Sequence, residues 1–223
     1  MEDIRRHHNS IKRELIRKVV NPRDWVLDVG CGRGGDFKKW KQVGGIKLFA
    51  CDPDQESLSE AKRRSDTIGI NATFSLGDIT TIKLPPQKFD SICYNFSIQY
   101  IFQNEKLFFR TIECIIHHLK IGGRLFGCVP DSDMILMKTP YKDDLGNFFT
   151  RKDNTGLGSF GDNVYVHLAD TPYYQNGPIP EPIAYKDIFI TTLEARGFEK
   201  VDWRPLGCGL TGMYSQFIFV KYI

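Results

Sequence analysis

The sequence predicts an α/β fold built on a doubly wound, mostly parallel sheet, and three observations support this prediction. Short apolar segments rich in β-branched and aromatic residues alternate with longer segments of helical periodicity. The apolar segments are nearly continuous, which is typical of parallel strands covered by helices on both faces. Four glycines follow the first of these segments, at the strand-to-helix turn where a doubly wound sheet binds nucleotide-like ligands.

The elements follow one another in a regular order. Residues 1–24 predict a basic N-terminal helix, and a βαβαβ unit follows with strands at 25–29, 46–51 and 72–78 and helices at 36–43 and 55–66. The pattern continues with a strand at 89–96, a helix at 105–119, a strand at 122–129 and a helix over 183–198. It closes with a strand pair near 200–206 and 214–222, which we expect to add an antiparallel terminal strand to the sheet.

One segment lacks this regularity. Between residues 129 and 170 the periodicity fades into Gly, Asp, Asn and Tyr, which predicts an insertion or loops over the active site rather than a separate domain. A chain of 223 residues with 41% hydrophobic content suffices for one full α/β core. We therefore expect residues 1–223 to form a single domain.

Composition excludes several classes of protein. The net charge of +3 is too small to indicate a nucleic-acid binder by itself. The six cysteines include no C-x-x-C pair, and no apolar stretch approaches the length of a membrane span. The start of the chain is charged and does not resemble a secretory leader. These features predict a protein that is not secreted and resides in the cytoplasm or the nucleus.

The glycine-rich turn, DVGCGRGGD over residues 28–36, fits two ligand-binding patterns. Its spacing satisfies both the dinucleotide pattern G-x-G-x-x-G and the D-x-G-x-G-x-G pattern of S-adenosylmethionine enzymes, so glycine spacing cannot distinguish them. Asp28 and Asp36 flank the glycines. A pyrophosphate would meet two like charges there, whereas S-adenosylmethionine is cationic at its ammonium and sulfonium groups, so the carboxylates favour S-adenosylmethionine.

Two further acids stand where an adenosine could be recognised. Asp52 follows the second strand, where an acid commonly binds the ribose hydroxyls, and Asp78 follows the third strand, where a carboxylate can accept the adenine amino group. Taken alone, Asp36 is also consistent with a helix N-cap and Asp78 with a turn. Together, the acids predict a class I, Rossmann-like S-adenosylmethionine-dependent methyltransferase.

The chain also resembles a known family, the mRNA cap guanine-N7 methyltransferases of eukaryotes and large DNA viruses. The matching segments occur in the family's order and are NSIKRELI, VLDVGCGRGGDFKKW, CYNFSIQYIF, GGRLFGCVPDSDMIL, PEPIAYKDIF and GMYSQFIFVK. The GGD that ends the glycine turn and the F-S-x-x-Y run after the fourth strand discriminate better than the glycines themselves. The resemblance implies transfer of a methyl group from S-adenosylmethionine to N7 of the guanine of GpppN-RNA.

The same resemblance assigns roles to individual residues. It implies that the cofactor is bound by Lys12, at its methionine carboxylate, and by Asp28, Gly30, Asp52, Asp78 and Phe96, and the pattern of the glycine turn itself adds Gly32 and Asp36. It implies that the cap is bound by Arg33 and Arg64 at the phosphates and by Gln99, Tyr100, Glu181 and Tyr214 around the guanine. Gln99 and Arg33 depart from the family, which usually has histidine and lysine at these positions. An amide at position 99 could still donate to the guanine carbonyl.

The chemistry of guanine agrees with these assignments. Its N1–H and N2 amino group are adjacent donors that one carboxylate, Glu181, can accept together. N7 already presents a lone pair, so no general base is needed, and we expect Phe96, Gln99, Tyr100 and Glu181 to act by alignment. The histidines show no metal-ligand spacing, so no metal is predicted. Lys38, Lys39 and Lys41 are expected to form the solvated face of a helix.

Alternatives remain open. One is a methyltransferase that acts on another nucleic acid or on a small metabolite, and another is a catalytically silent, methyltransferase-like subunit that binds RNA. The short segment before the first strand also suggests the methyltransferase domain of a larger viral capping enzyme. Such an enzyme would carry triphosphatase and guanylyltransferase domains and would work in a cytoplasmic viral factory.

Overall fold

The structure, a computed structural model, describes residues 4–151, 160–169 and 174–223. The helices of the described residues are α1 (Ile4–Val19), α2 (Phe37–Val43), α3 (Gln55–Ile68), α4 (Glu105–His118), α5 (Ser132–Lys138) and α6 (Lys186–Glu194). The strands are β1 (Trp25–Val29), β2 (Lys47–Asp52), β3 (Ala72–Leu76), β4 (Phe89–Asn95), β5 (Leu119–Pro130), β6 (Tyr141–Lys142), β7 (Phe148–Thr150), β8 (Asn163–His167), β9 (Ile179–Pro182), β10 (Phe198–Pro205) and β11 (Tyr214–Lys221).

The larger sheet has seven strands in the order β10-β11-β5-β4-β1-β2-β3. Strand β11 pairs antiparallel with both β5 and β10, whereas β1 to β5 pair in parallel. The predicted fold class, a mostly parallel doubly wound sheet with an antiparallel strand near its end, is confirmed. The chain order reverses between β1 and β4, so a crevice opens at the carboxyl ends of these two strands, where such sheets bind ligands.

Local sequence determines where the helices begin and end. Helix α3 begins after Asp54, whose side chain accepts a hydrogen bond from the Ser57 amide, and it ends at Gly69 with a left-handed φ of 68°. Helix α4 begins after Asn104, which caps the Leu107 amide in the same way. Both helices cover the sheet through their apolar faces, and most residues of the central strands β1 and β4 are buried.

A second, four-stranded antiparallel sheet has the order β6-β7-β8-β9. The sequence predicted an insertion or loops between 129 and 170 and named no strands there, and the sheet extends beyond that segment to Pro182. The strands have two to five residues, too few for a clear period-two pattern. The edge strand β9 also contains two prolines, Pro180 and Pro182, which normally argue against a strand.

None of the helices in the described ranges combines the length and the apolar character that a membrane crossing requires.

Candidate active site

A cavity of about 890 Å³ opens where β1, β2, β3 and β4 end. Its described lining includes Gly30, Gly32, Asp52 and Asp78 from the strand ends of the larger sheet. The lining also includes aromatic and polar residues from α1, from the segment after β4, from the segment that leads into and forms β9, and from β11, namely His8, Phe96, Gln99, Tyr100, Tyr174, Glu181 and Tyr214. The fold therefore brings nine of the predicted site residues to one cavity: Gly30, Gly32, Asp52, Asp78, Phe96, Gln99, Tyr100, Glu181 and Tyr214.

The glycine turn presents bare backbone to this cavity. Gly30 has a φ of 72°, and a Cβ there would lie 2.5 Å from the Ser97 Cβ, so only glycine fits. Gly32, with a φ of 52°, would meet nothing within 4 Å, and its amide donates to Asp52 Oδ2 at 2.7 Å. The turn thus leaves open space beside an anchored carboxylate.

Asp52 and Asp78, the two acids predicted to bind the adenosine, accept hydrogen bonds from neighbouring groups and can accept more. Asp52 is 8% exposed, and its oxygens accept from the amides of Gly32 and Asp54 at 2.7 and 2.9 Å. Asp78 Oδ1 accepts from the amide and the hydroxyl of Thr80 at 2.7 and 2.6 Å. A carboxylate has about four lone-pair sites, so each side chain can still accept from hydroxyl or amino groups of a ligand.

Asp36 lies behind the cavity wall and is the centre of a buried charge cluster, which we define as Asp36, Lys12 and Lys39. Asp36 Oδ1 lies 2.8 Å from Lys12 Nζ and 2.6 Å from Lys39 Nζ, and Oδ2 accepts from Asn95 Nδ2 at 2.9 Å. Burial alone would raise the pKa of Asp36, but the two lysines outweigh it and lower that pKa to about 2. Asp36 occupies the N-cap position of α2 but makes no side-chain cap bond.

Asp28 also lies behind the wall. It is 3% exposed, and its Oδ2 accepts from Trp40 Nε1 at 2.9 Å. Burial, followed by the nearby charge of Asp36, raises the pKa of Asp28 to about 7. Among the described residues, neither Asp28, Asp36 nor Lys12 lines the cavity.

These positions change the electrostatic argument drawn from the sequence. Asp36 does not present a free negative charge to a ligand, because Lys12 and Lys39 neutralise it inside the protein. The expectation that Lys39 belongs to a solvated helix face is wrong, since Lys39 is only 5% exposed and is also bonded to Asn9 Oδ1 at 2.8 Å. Lys38 and Lys41 are exposed as expected.

The two predicted phosphate-binding arginines lie on the surface, away from the described cavity lining. Arg33 Nη2 pairs with Glu56 Oε1 at 2.5 Å, and Arg64 Nε pairs with Glu60 Oε1 at 2.6 Å within α3. The exposed Arg33 follows Gly32 directly in the chain, so it lies near the cavity mouth. Arg64 belongs instead to a surface ion pair of the i, i+4 type.

Aromatic rings form the other end of the cavity. Phe96 has a left-handed backbone with φ of 61°, a strained conformation that places this bulky residue just after β4. Its ring lies 5.4 Å from the Tyr214 ring and 5.1 Å from the His8 ring, and His8 in turn lies 5.0 Å from Tyr214. The three rings, from α1, from the residue after β4 and from β11, pack against one another and form an aromatic wall of the cavity.

Glu181, on β9, is the only carboxylate at this aromatic end among the described lining residues. It is 6% exposed. Its Oε1 accepts from the Tyr174 hydroxyl at 2.7 Å, and its Oε2 accepts from Gln99 Nε2 at 3.1 Å. Burial raises the pKa of Glu181 above its ordinary value, and these two hydrogen bonds oppose the rise. The carboxylate is therefore fixed in orientation and poorly solvated.

The hydrogen bonds of Gln99 show which of its atoms are paired within the protein. Nε2 donates to the Phe96 carbonyl and to Glu181, each at 3.1 Å, and the side chain is 2% exposed. Oε1 is buried without a hydrogen-bond partner among the described residues. Both hydrogens of this amide are used within the protein, so the expected donation to the guanine carbonyl requires that one of these two hydrogen bonds be exchanged for it.

The lining residues that sequence reasoning missed include three rings, those of His8, Tyr94 and Tyr174. His8 lies four residues before Lys12 on the predicted N-terminal helix, so the i, i+4 spacing could have placed both on one face. Burial lowers the pKa of His8 to about 4, with smaller effects from His7 and Lys12, so its imidazole is neutral near pH 7. No pattern marked Tyr94 within its apolar strand or Tyr174 in an irregular segment.

The ranges that the structure describes contain no group of three or more His, Cys, Asp or Glu side chains placed to hold a metal ion.

The fold and the cavity define a class of protein. A solved S-adenosylmethionine-dependent methyltransferase from Clostridium acetobutylicum matches 97% of this chain and 91% of its own chain, with a TM-score of 0.64 and 17% identity. At that identity the match concerns the fold alone. The fold is that of S-adenosylmethionine-dependent methyltransferases, as the sequence predicted.

Sequence comparison narrows the class to a family. The sequence model of the mRNA (guanine-N(7))-methyltransferase domain matches residues 1–179, and the chain belongs to this family. It is similar to the mRNA cap guanine-N(7) methyltransferases of Schizosaccharomyces pombe, at 32% identity over 91% of this chain and 61% of that protein, and of Saccharomyces cerevisiae, at 28% over 86% and 44%. The chain thus spans about half the length of these relatives. The predicted family resemblance is confirmed.

The residues present fit S-adenosylmethionine. Two glycines leave bare backbone at the end of β1, and two anchored acids stand at the ends of β2 and β3 with capacity to accept further hydrogen bonds. The anchored acids also lie with Gly30 and Gly32 in one cavity, which is large enough to hold a nucleoside.

Proposed function

We propose that this chain transfers the methyl group of S-adenosylmethionine to N7 of the guanine of GpppN-RNA. The observation that carries the proposal is Glu181, a buried carboxylate held by Tyr174 and Gln99 at the aromatic end of the cavity. A carboxylate that is fixed and withdrawn from water is suited to a ligand with paired donors and a developing positive charge.

Glu181 accepts the N1–H and an N2–H of guanine in this proposal. Its two oxygens each accept one hydrogen bond within the protein, which leaves lone pairs on both for the base. Adenine lacks both the N1–H and the N2 amino group, so it would leave these buried acceptors without donors.

The rings of Phe96, Tyr100 and Tyr214 position the base beside the cofactor. N7 carries a lone pair and no proton, so the protein needs to align it with the methyl group rather than activate it. Alignment of this kind can contribute roughly 7 to 11 kcal/mol to the barrier reduction. As the base becomes cationic, the Glu181 carboxylate and the electron-rich rings stabilise its charge.

S-adenosylmethionine supplies the activated methyl group. We infer that Asp52 binds its ribose, Asp78 its adenine amino group, and Gly30 and Gly32 allow its close approach. Lys12 reaches its carboxylate from behind Phe96, whose ring centroid lies 5.7 Å from Lys12 Nζ. Asp28 and Asp36 then act on the cofactor indirectly, without contacting it, and Asp36 does so by holding Lys12 in place.

Arg33 and Arg64 are proposed to meet the cap phosphates. Arg33 is the stronger candidate, because it adjoins the cavity-lining Gly32 and its exposed ion pair with Glu56 is easily exchanged for a phosphate. Arg64 must leave Glu60 to do the same.

The experiment is methylation of GpppA-capped RNA with methyl-labelled S-adenosylmethionine, followed by digestion to nucleosides. The label should appear in N7-methylguanosine, and RNA that already carries this methyl group should accept none. Label on another base, or on small molecules alone, would overturn the proposal and favour a methyltransferase of different substrate class. An absence of S-adenosylmethionine binding would favour a silent RNA-binding subunit.

Matched variants connect the activity to the proposed residue. Glu181→Gln keeps the shape of the side chain but removes its charge, and we expect kcat/KM for capped RNA to fall about 100-fold, as for the loss of a charged hydrogen bond with transition-state stabilisation. Glu194→Gln, on the exposed end of α6, makes the same chemical change outside the cavity and should leave activity intact.

The reaction also implies what must act before it. A GpppN end requires removal of the terminal phosphate of the RNA and transfer of GMP, so we infer that a triphosphatase and a guanylyltransferase, in the same polypeptide or in partners, supply the substrate. The relatives reported above and others are fungal or nematode, and the viral origin of this chain remains a prediction. Its location would follow its substrate, in the nucleus or in a cytoplasmic viral factory, and fractionation of source cells tests this.

We also infer that residues 1–223 form a single domain, with both sheets contributing to one cavity. Strand β9 of the second sheet contacts the 3-10 helix Ile98–Gln103 that follows β4, and the Glu181–Gln99 hydrogen bond joins the two. Limited proteolysis that released either sheet as a stable fragment would contradict this.

A further inference from the structure

Tyr174 lines the cavity and is a direct partner of Glu181. Its side chain is 7% exposed, and its hydroxyl donates to Glu181 Oε1 at 2.7 Å. The residue belongs to the segment before β9, so the donor reaches the carboxylate from outside the strand that carries it. A short hydrogen bond from a hydroxyl to a buried carboxylate belongs to the stronger class of hydrogen bonds in proteins.

The second sheet holds the Tyr174 ring in place. The ring centroid lies 6.2 Å from that of His167 on β8, in an edge-on arrangement, and the His167 ring stacks on that of Phe148 on β7 at 5.3 Å. The Tyr174 carbonyl also accepts from the Gly177 amide at 3.0 Å, which closes a turn before β9. Ring packing of this kind fixes the direction in which the hydroxyl points.

The Glu181 carboxylate is anchored at both of its oxygens, by donors from two different parts of the fold. Gln99, on the 3-10 helix after β4, donates to Oε2 at 3.1 Å, whereas Tyr174 donates to Oε1. One anchor alone would leave the carboxylate able to rotate about its last side-chain torsion, which has little preference of its own. Two anchors fix the plane of the carboxylate and so the directions of the lone pairs that are left for a ligand.

The same hydrogen bond favours the form of Glu181 that guanine requires. Burial raises the pKa of Glu181, and the hydrogen bonds from Tyr174 and Gln99 oppose this rise. A protonated carboxyl group would present a hydrogen of its own to the N1–H and the amino group of guanine, whereas the ionised form only accepts. The phenol therefore supports both the orientation and the charge of the carboxylate.

We propose that Tyr174 is a positioning residue for the methyl acceptor, whose hydroxyl holds the Glu181 carboxylate in the orientation that accepts the N1–H and an N2–H of guanine. The inference rests on the proposed function. Tyr174 acts through Glu181 and does not itself need to contact the base. The second sheet then contributes to the selection of guanine through Tyr174 as well as through β9.

The test is a double-mutant cycle on kcat/KM for guanine-capped RNA. Tyr174→Phe removes only the hydroxyl and should lower kcat/KM about tenfold, as expected for a lost hydrogen bond to a charged group. Glu181→Ala removes the carboxylate through which Tyr174 acts. In that background, Tyr174→Phe should change kcat/KM by less than about twofold, because the effects of residues that work as a unit are not additive.

The preference for guanine provides a second measurement. Inosine-capped RNA lacks only the N2 amino group, and the ratio of kcat/KM for guanine caps to that for inosine caps should fall about three- to tenfold in Tyr174→Phe. A purely structural role of the hydroxyl would lower both values together and leave the ratio unchanged. Because the ratio does not depend on the folded fraction of the enzyme, it is informative even for a less stable variant.

Tyr185→Phe is the matched control. The Tyr185 side chain is 8% exposed, and its hydroxyl donates to Asp162 Oδ2 at 2.5 Å, but Tyr185 is not part of the described cavity lining. The variant loses the same kind of hydrogen bond at a position close to β9 in the chain. It should keep the ratio of the wild type.

Two sets of results would overturn the inference. If Tyr174→Phe keeps the ratio of the wild type, or if Tyr185→Phe lowers it equally, the Tyr174 hydroxyl does not position the carboxylate. If Tyr174→Phe costs as much in the Glu181→Ala background as in the wild type, the hydroxyl does not act through Glu181. A wild type that places no label on N7 of guanine would refute the proposed function itself, whereas an active, guanine-selective wild type with one of the preceding results refutes the inference alone.

Discussion

Substitution of Asp36 by asparagine tests the buried charge cluster that supports the site. The change keeps the size of the side chain but leaves Lys12 and Lys39 without the carboxylate that lies 2.8 and 2.6 Å from their ammonium groups. Lys39 is 5% exposed, so water cannot replace the lost partner. Because Lys12 lies on α1 and Lys39 on α2, the cluster also fastens the N-terminal helix to the glycine turn.

Two estimates of the magnitude agree. The pKa of Asp36 falls from an ordinary value of 3.8 to about 2, and about two units at about 1.4 kcal/mol each correspond to roughly 2.5 kcal/mol. Removing one partner of a buried ion pair typically costs about 3 to 5 kcal/mol. We therefore expect Asp36→Asn to lose about 3 kcal/mol of unfolding free energy, or about 6 to 12 °C in Tm for a chain of this size.

The assay is urea unfolding at pH 7, with unfolding free energies compared at equal m values. A depressed pKa stabilises the fold above pH 3.8 and loses this effect as the pH falls through about 2. The difference between wild type and variant should therefore shrink as the pH falls below 4. Glu56→Gln, which removes an exposed ion pair with Arg33, should cost less than about 1 kcal/mol. If Asp36→Asn costs no more than this control, the cluster does not stabilise the fold as argued.

Three further changes test other parts of the site. Gly30→Ala should lose more than about 2 kcal/mol of unfolding free energy, because its Cβ would lie 2.5 Å from the Ser97 Cβ and its φ is 72°. Gly32→Ala should lose only the penalty for a left-handed backbone, about 1 to 2 kcal/mol of unfolding free energy. Equal losses in thermal unfolding would contradict the packing argument. Glu181→Gln should raise the free energy of unfolding above pH 4.5, since burial raises the pKa of Glu181 and the ionised carboxylate destabilises the free fold. The activity of the wild type should fall as the pH drops through that raised pKa, and a pH profile without an acidic limb would argue against the role of Glu181. Arg33→Ala should leave Tm unchanged but raise KM for capped RNA several-fold, more so at low salt; an unchanged KM at low salt would remove Arg33 from the phosphate site.

Hydrophobic pattern and turn chemistry were sufficient to predict the larger sheet. Strands β1, β2, β4 and β5 are mostly buried apolar runs next to turn residues, whereas β3, at the edge of the sheet, is only partly buried. Strand β5 differs from its prediction mainly by extending from Leu119 to Pro130. The second sheet was not predicted, because its strands are short and β9 contains two prolines. Pairing between distant segments, rather than local preference, makes these residues strands.

The site residues that could be predicted are those whose position depends only on where each strand ends in the sequence. Asp52 and Asp78 come directly at or after strand ends, and parallel strands bring such positions to one edge. Burial could not be predicted in the same way. The helical pattern groups Lys39 with exposed neighbours. In the structure it is buried, because its ammonium group pairs with Asp36, three residues earlier, and with Asn9 of α1, which packs over it. The hydrogen bonds of Gln99, which leave Oε1 free, depend on a carbonyl and a carboxylate that only the tertiary structure brings together.

The most direct test of the account is the ratio of kcat/KM for guanine-capped RNA to that for inosine-capped RNA, measured for the wild type and for Glu181→Gln. Inosine keeps N7, N1–H and the carbonyl of guanine but lacks the N2 amino group. One lost hydrogen bond to a charged acceptor corresponds to a ratio of about 10 to 100 in the wild type, and the ratio should be several-fold smaller in the variant. A wild type that methylates both caps with equal efficiency would contradict the claim that Glu181 reads the guanine.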